Sequence, residues 1–398
     1  MKSSKRLLER TILSILVLMC IQYIPIEGNG VSFIKVAGML LTPLIWLHNF
    51  KGFSKAFKWG LLCAFAILIS IGYNSESFRL STVIYKLSFV FMFVMYYDLV
   101  YYHHSLHLEV FIRFLKRLII WFTMVLIIQQ ILILTGFRYV PLFNFVEFID
   151  RGIGSNSLSL EPSHTARILT VVMLVLLRMF EVKWGKNQLN LSRFFKENKW
   201  IIIAFLWSML SMGSGTAFVG LAILLIYFVK RKYIVFFFIM VGAIYLLAPS
   251  IKYEPVIRLK NTFEAALTLD RQAVIEADHS AAARVVPLVN SINDLDIDDM
   301  DTWLGKGIDS SINSEYLGED QLIGGINDYG LLVFLLFVGF FISFCAPGIL
   351  TIEQLIFLVL LSATIGNFAY VWGILMLLTT SKYFMHNGKR INHSYLRV

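Results

Sequence analysis

Leu160-Glu161-Pro162-Ser163-His164-Thr165-Ala166-Arg167 sets an acid, an imidazole and a guanidinium within seven residues, where a polar segment meets an apolar run. Pro162 suits the first position of a helix, so Glu161 and His164 are expected at its mouth and Arg167 one turn deeper. A carboxylate or imidazole placed there can position an attacking hydroxyl or take its proton, and a guanidinium can grip the oxygens of a departing phosphate. Charged groups at a membrane-interface helix start are costly, which favours a functional role. The plainer reading is that Glu161 complements the helix dipole and Arg167 snorkels to the headgroups.

A second set lies in the segment from about Ile251 to Gly325, some 75 residues that hold 14 of the 26 acidic groups. Arg258 and Arg271 precede Ser280-Ala281-Ala282-Ala283-Arg284, which reads as helical through about Asn293, and Trp303-Leu304-Gly305-Lys306-Gly307 reads as a tight loop. A diphosphate leaving group needs fixed positive charge as its bridging oxygen departs. Against this, Arg258 and Arg271 have abundant carboxylates of their own loop to pair with. Glu319 and Asp320, ahead of Asn327-Asp328-Tyr329-Gly330-Leu331-Leu332, and Asp328 within that run are candidates for a general base. Trp303 and Tyr329 suit stacking on sugar rings, although interfacial aromatic belts place such residues without any ligand. There is no P-loop, GxSxG or HExxH motif, and Asp296 to Asp301 lacks the glycine and terminal glutamate of a calcium loop, so neither a metal nor a cofactor is expected.

The elements that must position these groups are membrane helices. Apolar residues make up 58% of the chain, with 34 Phe and a mean hydropathy of +0.72, and runs of about 15 to 25 apolar residues recur. Spans are predicted near 8–25, 32–48, 56–72, 81–101, 115–137, 164–181, 199–213, 214–229, 233–249, 326–346, 354–367 and 369–384, the last pair being readable as one long tilted helix. The expected architecture is all-α, about twelve transmembrane helices: residues 1–249 carry the first nine, 250–325 form one large outer loop, and 326–398 carry the last three with a basic tail. Lysines and arginines after spans two, six and eight, before span five and in the tail put those segments and both termini on the cytoplasmic side. The first run is read as a retained span, because no small-residue cleavage site follows it. Cys20, Cys63 and Cys345 all lie in apolar runs, which excludes a disulfide framework or zinc site. The net charge of +9 resides in short segments between spans, so it reads as membrane orientation and not as a nucleic-acid surface.

Ser280-x3-Arg284, Leu304-Gly305-Lys306-Gly307 and Asn327-Asp328-Tyr329-Gly330-Leu331-Leu332, with Leu160-Glu161-Pro162-Ser163, resemble motifs of the O-antigen polymerase (Wzy-type) and ligase superfamily of membrane glycosyltransferases. With the span count and the large outer loop, the resemblance covers most of the chain. It implies a glycosyltransferase-C-like, metal-independent enzyme of the bacterial inner membrane, polymerising O-antigen or capsule repeat units. The growing glycan would pass from undecaprenyl diphosphate to the next lipid-linked repeat, with a chain-length regulator as a possible partner. Glu161, His164, Glu319 and Asp320 are then the candidate catalytic groups. Arg167, Arg284, Arg258 and Arg271 would bind the diphosphate, and Trp303 and Tyr329 the sugar. Gly213-Ser214-Gly215-Thr216 stands where ligase-like members carry Ser-Arg, and Glu319-Asp320 where they carry His-Asn, which weakens the ligase reading; Arg167 could replace the missing arginine. From another class, a lipid-linked oligosaccharide flippase or other transporter would place charges within several spans, whereas here they gather in outer segments.

Overall fold

The computed structural model describes residues 2–22, 33–74, 80–137, 154–185, 189–228, 322–361 and 369–395 and most of 257–307; predicted span 233–249 lies outside them. Every regular element among these residues is helical. The apolar runs become α1 (Lys2–Cys20), α2 (Phe33–His48), α3 (Lys55–Tyr73), α4 (Leu80–His103), α5 (Leu108–Leu134) and α6 (Pro162–Trp184). A short α7 (Leu191–Glu197) precedes α8 (Lys199–Ser211) and α9 (Gly215–Phe228). The polar insertion holds α10 (Arg271–Ala277), α11 (His279–Asn293) and α12 (Met300–Leu304). The chain then re-enters the bundle as α13 (Ile326–Phe344), α14 (Ile352–Ile356) with a π-helical turn over Phe357–Leu361, and α15 (Ala369–Tyr395).

Four helices, α3, α4, α5 and α13, are long and apolar enough to cross a membrane, and they point to a membrane protein. α8, read from the sequence as a span, is 13 residues long, about 20 Å, where a full crossing needs about 20 residues, and α9, also read as a span, is described over 14 residues. α13 is interrupted at Gly330, whose φ of 86° separates the turn Ile326–Tyr329 from the apolar stretch that follows.

The centre of the bundle is α6, with 19 of its 23 residues buried. A helix apolar all round belongs in an interior, and α5, α9 and α15 surround it. Close helix approach uses small residues: a Cβ on Gly373 of α15 would lie 3.1 Å from the Cys20 backbone nitrogen of α1, so any larger residue would push the two helices apart by a few tenths of an ångström. Polar ties fix the rest. The Trp46 indole of α2 donates to the buried Asp98 carboxylate of α4 at 3.0 Å, and Ser54 caps α3 by accepting from the Phe57 amide at 3.1 Å. Toward the other end of α6, the Arg178 guanidinium meets Glu353 of α14 at 2.9 Å and Glu181 at 3.0 Å, with the Tyr227 ring of α9 beside it. Glu353 is only 2% exposed, so this cation holds three helices through one buried charge.

Candidate functional site

Glu161 is the N-cap residue of α6 and Pro162 its first helical position, as the sequence predicts. One turn in, the His164 ring stacks on the Tyr370 ring of α15, with centroids 4.3 Å apart. Arg167, one turn deeper, donates a hydrogen bond to the same Tyr370 hydroxyl. Arg167 is 3% exposed, so its charge is enclosed within the bundle. The Glu161 side chain stays about half exposed, takes a hydrogen bond from Ser163 Oγ at 2.9 Å, and stands 3.8 Å from His164 Nε2. An accessible carboxylate therefore overlies an enclosed imidazole, phenol and guanidinium.

The segment before α6 is what the sequence reading missed. Gly154 to Ser159 is non-helical and almost wholly buried, yet it lies beside the first turns of α6, since Thr165 Oγ1 donates to the Asn156 carbonyl. Irregular backbone at that depth must have its polar groups satisfied by protein. Gln129 of α5 does this as a clasp, accepting from the Ser157 amide at 2.7 Å and donating to the Ser157 carbonyl at 3.0 Å. Ser157 Oγ reaches the Phe122 carbonyl at 2.6 Å, and Gln22 beyond α1 accepts from the Leu160 amide at 2.7 Å. Gly154 lies against the turn between α8 and α9; a Cβ there would come within 2.6 Å of the Met212 carbonyl oxygen. So Gly213-Ser214, which the sequence comparison with ligases singled out, abuts the segment that leads into Glu161. The signal was present: four of the five residues Ser155-Asn156-Ser157-Leu158-Ser159 are small and polar, and Gln129-Gln130 interrupts the apolar second half of α5.

Two other motifs meet directly. Gly305, with φ of 83°, packs on Gly330: a Cβ on Gly305 would lie 2.7 Å from the Gly330 nitrogen, and one on Gly330 the same distance from the Leu304 carbonyl carbon. The Lys306 amide donates to the Asn327 carbonyl at 2.6 Å. The end of α3 joins this latch, because the Asn74 side-chain amide donates to the Gly305 carbonyl at 2.5 Å and the Tyr73 hydroxyl to Asp301 at 3.2 Å. Ser291 of α11 accepts from the Ile323 amide at 2.8 Å, tying the insertion's longest described helix to the start of α13.

Of the remaining predicted site residues, Arg271 pairs with Asp294 at 2.9 Å, which is the intraloop pairing set against its functional role. Arg284 falls on α11, within the helix expected there; its side chain lies outside the described residues, as do Arg258, Glu319 and Asp320 entirely. Tyr329 is buried, and the Lys86 ammonium of α4 stands 3.8 Å over its ring. Trp303 donates its indole N–H to the Ile297 carbonyl at 2.8 Å, folding its ring onto its own loop. Among the described residues there is no cluster of His, Cys, Asp and Glu able to hold a metal ion. No family model, curated protein or solved structure matches the chain.

Proposed function

We propose that the chain is a polysaccharide repeat-unit polymerase of the bacterial inner membrane, moving a growing glycan from undecaprenyl diphosphate onto the next lipid-linked repeat at the outer face. The observation that carries this reading is the enclosed Arg167–Tyr370–His164 set beneath the half-exposed Glu161. A buried guanidinium joined through Tyr370 and His164 to an accessible carboxylate suits a reaction in which an anion departs from one side of a carbon while a hydroxyl attacks from the other.

In the proposed step the acceptor hydroxyl forms the new C–O bond at the anomeric carbon as the bond to the diphosphate oxygen breaks. The proton of the hydroxyl goes to Glu161, and the electron pair leaves with the diphosphate, whose charge Arg167 and Arg284 offset. His164 orients the attacking hydroxyl, and Tyr370 holds the Arg167 fork in place. Such a transfer needs neither metal nor cofactor, and the arginines do the electrostatic work. The proposed topology keeps both termini, α7 and the basic segments in the cytoplasm and turns Glu161 and the polar insertion outward. A chain-length regulator is the protein partner that such a reaction would take.

The deciding experiment is the surface-glycan ladder of a clean deletion strain complemented with wild type, Glu161→Ala or Arg284→Ala. A single lipid-linked repeat in the deletion, with the ladder restored only by wild type among equally expressed proteins, is the expected result. Polymerised but unattached glycan on the outer face would instead make it a ligase, and single repeats trapped on the inner face a flippase.

A further inference from the structure

Between α1, α2 and α5 lies a groove of 1040 Å³ whose arginine-lined mouth is at the opposite end of α1 from the contact of Gln22 with Leu160. Arg10, Arg113 and Arg117 line its mouth and buried Lys35 its other end, toward Cys20, and no carboxylate lines it. Arg113 and Arg117 are four residues apart on one face of α5, so their charges repel unless an anion lies between them and Arg10. The neighbouring acids are committed elsewhere: Glu9 accepts from the His107 amide at 2.8 Å and contacts its ring nitrogen at 3.0 Å, while Glu109 pairs with Lys183 at 2.8 Å. Among the described residues none of the three arginines forms an ion pair. Beyond the arginines the wall turns apolar, through Leu13, Val17 and Ile21 on one side and Trp121 on the other. From Arg10 to Ile21 the groove follows α1 for about 16 Å. Arg10, Arg113, Arg117 and Trp121 are exposed, so the groove opens sideways.

We infer that this groove is a binding site for one anionic phospholipid of the adjoining leaflet, its phosphodiester among Arg10, Arg113 and Arg117 and an acyl chain along Leu13, Val17, Ile21 and Trp121. The order of the lining, three arginines at the mouth and about three turns of apolar wall between them and buried Lys35, fits a headgroup with a chain attached. A free phosphate would use only the first part of it. Basic recesses between membrane helices recognise anionic headgroups in this way. The assignment is independent of the polymerase reading, because none of the residues that line the groove belongs to the set proposed to carry that reaction.

The test is native mass spectrometry of the purified full chain titrated with phosphatidylglycerol or phosphatidylcholine. Wild type is compared with Arg113→Gln/Arg117→Gln, and with Arg193→Gln as control, since Arg193 pairs with Glu197 on exposed α7. One phosphatidylglycerol should bind with roughly tenfold or greater preference, lost in the double variant and kept in the control. Chain-brominated phosphatidylglycerol should quench a tryptophan signal that Trp121→Phe removes. If the double variant fails to fold, Arg10→Gln on an exposed side chain should weaken the same binding. Equal binding of phosphatidylcholine, an unchanged double variant, or displacement of the lipid by glycerophosphate at equal concentration overturns the assignment.

Discussion

Arg167 hydrogen-bonds to Tyr370 inside the bundle, so its substitution tests electrostatics directly. Arg167→Gln should lower polymerisation by about a hundredfold, the cost of removing a cation aimed at developing charge. Arg167→Lys should fare little better, since an ammonium lacks the planar fork that grips both a phenol and a phosphate. Tyr370→Phe keeps the stacking surface for His164 and deletes one hydrogen bond. An in vitro assay on lipid-linked repeats should find it slowed by roughly tenfold, with KM little changed. Glu161, His164 and Arg167 were legible in the sequence because all three sit on one helix start, where spacing alone fixes relative depth. Tyr370 was not, because a partner 203 residues away is set by the packing of α15 on α6, which no local pattern encodes.

Among the elements, the segment Gly154–Ser159 and the Gly305–Gly330 latch carry the most consequence. Gln129→Leu leaves the buried Ser157 amide and carbonyl without their clasp, and each such loss costs about 1–3 kcal/mol. Hydrogen exchange at residues 154–160 should accelerate sharply in that variant while α5 stays protected. Gly330→Ala combines a φ of 86° with backbone contact from Leu304, so the latch should open. Limited proteolysis within 257–307 is the measurement, with faster cleavage than wild type as the expected outcome. The helices themselves were readable from apolar runs, and α11 from Ser280 to Asn293 from its alanine-rich start. Less readable was that α8 stops after 13 residues, since hydropathy registers apolar length but not where a Gly213 turn meets a neighbouring loop. The kink in α13 was equally hidden, because Gly330 reads as an ordinary helical glycine until Leu304 is seen against it.

For the molecule as a whole, Arg178 with Glu353 and Glu181 forms a buried charge cluster joining α6 to α14. Arg178→Met should destabilise by about 3–5 kcal/mol, because two carboxylates are left without their cation. Arg178→Met with Glu353→Leu should recover much of that loss in a thermal-unfolding series, since an apolar pair of similar volume replaces buried ions with little penalty. The short α8 has a further effect, felt outside the protein. Its exposed face, Trp200, Ile203, Leu206, Trp207 and Leu210, is greasy over only 13 residues, about 10 Å short of a typical hydrocarbon thickness. A bilayer answers such a mismatch by thinning. Lipids bordering α8 would therefore dip toward Gly213, lowering the water boundary on that flank and shortening the climb for any lipid-borne headgroup that approaches Glu161 from the side.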